Sequence, residues 1–125
     1  MSHDTATVYR AYLALWNATT EGDRRRLLAD ALTEDARLVY PAFACHGAEE
    51  VVAGLAGLHE RWPGVRFAQA SGIEEHHGWL RVGWRMARDD GGVVMDGVDV
   101  AAVTDDGRLR LVIGFHDPLP PSTEG

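Results

Sequence analysis

The chain of 125 residues predicts an α+β fold, with three helices first and a mostly antiparallel sheet on which they pack. Three observations carry that expectation. Up to Trp62 apolar residues recur at helical spacing in three stretches broken by one short strand, after Val65 they alternate in steps of two, and the alternating stretches are separated by short glycine turns.

From Thr5 to Thr20, "TATVYRAYLALWNATT" sets Val8, Tyr12, Leu15 and Trp16 at helical spacing, and Gly22 breaks the pattern. A second helix is expected in "DRRRLLADALT", with Asp23 as N-cap and Leu27, Leu28, Ala31 and Leu32 facing inward. "ARLVYP" reads as a short strand stopped by Pro41. Gly47 opens a third helix, "AEEVVAGLAGLHERW", whose Val51, Val52, Leu55 and Leu58 form an apolar stripe; Pro63-Gly64 ends it. Four strands follow: "VRFAQASGIEEHH", "GWLRVGWRMAR", "GVVMDGVDVAAVT" and "RLRLVIGFHD". Turns at His77-Gly78, Asp90-Gly91-Gly92 and Asp106-Gly107 join them. Residues 1–125 read as one domain, with 118–125, "PLPPSTEG", as a loose tail.

The last strand alternates Leu109, Leu111, Ile113 and Phe115 against Arg110, Val112, Gly114 and His116. Helices cover one face of the sheet, so a second apolar face calls for a second copy of the chain. A homodimer is expected.

Composition narrows the function. Apolar content of 46% and charged content of 25% are those of an ordinary globular domain. All 12 basic residues are arginine, and the net charge of -7 argues against nucleic acid or an anionic membrane as partner. "MSHDTATVYR" lacks the apolar run of a leader, and no window approaches a membrane span. The single cysteine, Cys45, cannot make an intrachain disulfide, which suits a cytoplasmic location. No metal or other cofactor is expected. The adjacent histidines of "EEHHG" point to opposite faces of a strand, His46 and His59 have no partner at ligand spacing, and "AGLAGLHE" is a helix rather than a phosphate loop.

Asp99 is the residue that asks for a function. It interrupts an apolar strand and shares its face with Val93, Met95, Gly97, Ala101 and Val103. An unpaired ionised carboxylate there is costly, so Asp99 is expected to be neutral, hydrogen-bonded or lining a cavity.

The element order, "WNATTEGD" leaving the first helix, "YP" after the first strand and "DGRLRLVIGF" near the end resemble the nuclear transport factor 2-like superfamily. The SnoaL-like and ketosteroid isomerase-like branch is the nearest. The resemblance spans nearly the whole chain and implies a cone-shaped α+β barrel, a curved sheet wrapped around a pocket and closed by helices. Tyr12 stands five residues before Asn17 and Asp99 eight before Gly107, as do the two oxyanion donors of ketosteroid isomerases. The base of those enzymes does not carry over, because Tyr40 precedes Pro41 where they hold an acid. SnoaL-like cyclases carry an aspartate on the last strand where Gly114 stands, and His116 is the nearest titratable group.

The resemblance thus implies a site of Asp99, Tyr12, His116 and Tyr40, with Trp16, Phe43, Leu55, Trp84, Met86 and Val112 lining an apolar pocket. The expected ligand is a small apolar molecule with a carbonyl or hydroxyl. The expected chemistry is proton transfer without a cofactor: Asp99 and Tyr12 stabilise an enolate-like oxygen while His116 shuttles the proton. A ligand-binding or dimerisation module without turnover is the alternative.

Overall fold

The computed structural model describes residues 4–123. Three helices, α1 (Thr5–Asn17), α2 (Glu21–Ala31) and α3 (Ala48–Arg61), pack on a six-stranded mixed sheet. Its strands are β1 (Leu32–Val39), β2 (Ala44–His46), β3 (Arg66–His76), β4 (Trp79–Ala87), β5 (Val93–Val103) and β6 (Leu109–Asp117). They run in the order β2-β1-β6-β5-β4-β3, so the sheet is an open cone rather than a closed barrel. Every neighbouring pair is antiparallel except β1 and β6.

The helix signals were legible to within a few residues. Asp4 caps α1, its side chain accepting from the amide of Ala6. That helix ends at Asn17 rather than Thr20, because Thr20 caps α2 by accepting from the amide of Asp23. Asp23 therefore lies inside the helix it was expected to cap, and Gly22 sits in the first turn. Two elements differ further. The first strand begins at Leu32, four residues before the expected start, and β2 is a strand of three residues with too few positions to show a period.

Alternation holds through β4 and most of β5, but a register shift beside Met86 pairs Val93 with Ala87, so Val93 leaves the Asp99 face on which it was expected and is 51% exposed. Leu80, Val82, Trp84 and Met86 face the helices, and so do Gly97, Asp99 and Ala101. In β6 a register shift intervenes: Leu109 pairs with Val103, but Leu111 pairs with Ala102. Leu109 consequently joins Val112 in the core instead of sharing the outer face with Leu111, Ile113 and Phe115. On that outer face Leu111 and Ile113 are half-buried and Phe115 is 55% exposed. Pro118–Thr123 forms neither helix nor strand; Glu124 and Gly125, the end of the expected tail, lie outside the described residues. No helix among the described residues is long and apolar enough to cross a membrane.

Two contacts fix α1 over the sheet. Asn17 donates from Nδ2 to the carbonyl of Phe67 at 2.9 Å, and its Oδ1 accepts from the Phe67 amide at 2.7 Å. One side chain thus replaces a strand neighbour for β3. His59 of α3 lies 2.7 Å from the carbonyl of Trp16, which ties the second helix end to the same place.

Candidate functional site

Strand pairing lays the inward residues out as rungs. Val82, Asp99 and Gly114 form one rung across β4, β5 and β6. Tyr40 extends it, since it follows Val39, the β1 partner of Ile113. The next rung toward the open end is Trp84, Gly97 and His116, and beyond it Met86 pairs with Met95. Opposite these rungs, α1 presents Tyr9, Tyr12 and Trp16, three, four and seven residues apart and hence on one face.

Between α1 and the rungs lies a cavity of about 90 Å³. Asp99, Tyr9, Tyr12 and Tyr40 form its polar floor, and Trp16, Phe43, Phe67, Trp84 and Met86 its walls. Its mouth is apolar, with Leu13, Leu58, Trp62, Met95 and Phe115, and carries His116. Of the ligand-binding candidates, Trp16, Phe43, Trp84 and Met86 stand on these walls. Leu55 and Val112 do not; both are fully buried packing residues of the core.

Asp99 is 2% exposed. Its partner is Tyr9, whose hydroxyl donates to Oδ2 at 2.8 Å, and not Tyr12. Tyr12 instead shares a 2.7 Å hydrogen bond with Tyr40. The helical pattern of Val8, Tyr12, Leu15 and Trp16 does not single out Tyr9, although its spacing to Tyr12 and Trp16 puts it on the same face. Burial pushes the Asp99 carboxyl up to about 6, opposed by the Tyr9 bond and by weaker donation from Tyr40 and Trp84. No bond of normal geometry reaches Oδ1 from any described residue, and the Trp84 Nε1 hydrogen is likewise without a full partner. Burial holds the hydroxyls of Tyr9, Tyr12 and Tyr40 well above the usual phenol range, with Asp99 adding to the effect. At physiological pH all three are O–H donors and none is a base.

Two glycines make room for this floor. A Cβ on Gly114 would overlap the ring of Tyr40 and stand 3.1 Å from Asp99 Oδ1. A Cβ on Gly97 would overlap the indole of Trp84. The space beside Gly114, which the resemblance assigned to an acid, is filled by the Tyr40 ring. His116, one rung nearer the mouth, is exposed. Asp99 is the one carboxylate among the described residues lining the cavity.

A SnoaL-like domain profile matches residues 9–112, from Tyr9 to the core position before Gly114's rung. The chain belongs to the SnoaL-like family. The SnoaL-like domain is similar to a candidate isomerase of that family from Agrobacterium tumefaciens, at 33% identity and a TM-score of 0.84 over 90% of this chain and 97% of the other. A candidate SnoaL-like polyketide cyclase from Jannaschia is 18% identical, with a TM-score of 0.67 over 94% of this chain and 91% of the other. A nuclear transport factor 2-like protein of unknown function from Exiguobacterium is 19% identical, with a TM-score of 0.70 over 90% and 99%. These last two establish the fold alone. No curated protein matches the chain.

Proposed function

We propose that this SnoaL-like domain binds a small, largely apolar molecule through a carbonyl or hydroxyl oxygen and moves a proton on it without a cofactor. The observation that carries the reading is a single buried carboxyl, Asp99, at the floor of an aromatic cavity, anchored through Oδ2 and unbonded at Oδ1. A carboxyl titrating near 6 is present as base and as acid in useful amounts around neutrality.

In this reading Asp99 takes over the role that the lost acidic positions leave open. Ionised Asp99 accepts a proton from the carbon beside a carbonyl at Oδ1. The C–H electron pair becomes the C=C of an enolate, whose oxygen accepts a hydrogen bond from the Tyr12–Tyr40 pair. Those two hydroxyls share one bond, which leaves one proton of the pair over, and the ligand oxygen takes it in place of the weak donation from Tyr40 to Asp99. Asp99 then returns the proton to the same or another carbon, which completes an exchange or an isomerisation. Tyr9 is a positioning residue that fixes the carboxyl plane. His116 at the mouth exchanges protons with solvent.

A binding module without turnover is the second reading. It is favoured by the absence of a second carboxylate among the described lining residues. Deuterium incorporation beside the carbonyl of cyclohex-2-enone in D2O separates the two. Turnover predicts exchange above the buffer rate, rising with pH through about 6 and lost in Asp99→Asn. Binding of the enone with exchange at the buffer rate would establish the module instead.

A further inference from the structure

We propose that Trp84 and Tyr40, each laid across a glycine of the neighbouring strand, set the width of the cavity floor and restrict the ligand to one ring, or its acyclic equivalent, with substituents only away from its oxygen. This rests on the reading above, in which that oxygen meets the Asp99 floor.

The space itself points this way. The enclosed space of about 90 Å³ is below the roughly 150 Å³ of an engineered core cavity that takes one benzene, so a single ring already fills the floor and any further length has to run out through the mouth. The cause is local. Trp84 lies over Gly97 and Tyr40 over Gly114, so the rung of Asp99 and the next one toward the mouth are both paved by rings instead of being open to the backbone. Neither ring can sink further, because each already occupies the position of the missing Cβ. Neither can swing freely. Tyr40 is held by Tyr12 at 2.7 Å, stacks on Phe43 at 5.9 Å and meets the edge of Trp16 at 5.0 Å. Trp84 packs against Phe67 at 6.3 Å. The mouth differs, being bordered by the half-buried Leu13, Leu58, Trp62 and Met95 and by the exposed His116. Width beside the oxygen is therefore scarce, while length toward the mouth is available.

Two phenols of similar apolar size test this. In 4-propylphenol the extra carbons point away from the hydroxyl; in 1-naphthol the second ring flanks it. Calorimetric titration of the intact protein is expected to give 4-propylphenol an affinity at least about tenfold above 1-naphthol. In Trp84→Leu the ratio is expected to fall to about threefold or less, and in Trp84→Phe, which keeps a ring but loses the N–H, to stay near the parent value. If Trp84→Leu does not fold, Tyr40→Leu makes the same test on the other rung. Comparable binding of both phenols to the parent protein overturns the inference, as does binding of neither. The outcome is separable from that of the functional reading. Phenols binding no better than their methyl counterparts would remove oxygen recognition, whereas the width limit would still show in 4-propyltoluene outbinding 1-methylnaphthalene.

Discussion

At the scale of single residues, the site turns on how a carboxyl survives among aromatic rings. Burial raises the Asp99 pKa from 3.8 to about 6, so between those values the folded protein holds a proton that the unfolded chain has released. Asp99's contribution to stability is then fully present at acid pH and is lost as pH rises through that window, by up to about 3 kcal/mol. Denaturant unfolding across about pH 4 to 7 should show the parent losing stability relative to Asp99→Asn. Exposed carboxylates such as Glu49 and Asp96, whose arginine partners lower their pKa, act with the opposite sign and cancel in that comparison. Gly114 is the second residue-scale test. Gly114→Ala drives a methyl into the Tyr40 ring and should cost about 1–3 kcal/mol, and much less in a Tyr40→Ala background. This contact was invisible in the sequence. Seventy-odd residues separate the two, and only the parallel pairing of β1 with β6 brings them together. Asp99 was legible because a charge in an apolar run violates a local pattern. Tyr9, its partner, obeyed the local pattern and so announced nothing.

At the scale of elements, periodicity exposed those long enough to repeat. α1, α3 and the four long strands β3 to β6 were recognisable from spacing alone, whereas β2 offers three residues and no period. The β6 register shift changes the face of Leu109 without leaving a mark in composition. Asn17 shows how a spacing can be right for an unexpected reason. It sits five residues after Tyr12, as the resemblance suggested, yet its side chain clamps α1 to β3 through both hydrogen bonds of Phe67. Asn17→Ala should therefore destabilise by about 1–3 kcal/mol. It should also loosen the wall that Phe67 provides, measurable as faster amide exchange at Phe67 than elsewhere in β3.

At the scale of the whole molecule, helices followed by a meander specified the α+β class, and the resemblance supplied the cone. Neither specified that the sheet stays open. An open sheet leaves an outer face on which Leu111, Ile113 and Phe115 line up beside Val98 and Val100, all half-buried or exposed. We propose that this face pairs with a second copy, since such a run on a free surface is unfavourable. Ile113→Asp should convert the dimer to monomer in sedimentation velocity, by placing an unpaired charge in the interface. A monomeric parent at micromolar concentration would refute the pairing.

In the proposed function a titratable carboxyl at the floor of the cavity meets the ligand through Oδ1, the oxygen without a bond of normal geometry. Carbon-detected NMR of the Asp99 side chain, followed across pH with and without 4-propylphenol, tests it most directly. A midpoint near 6 is expected in the free protein, with a clear displacement of both shift and midpoint on binding. A midpoint below about 4, or a titration that the phenol leaves untouched, would contradict it.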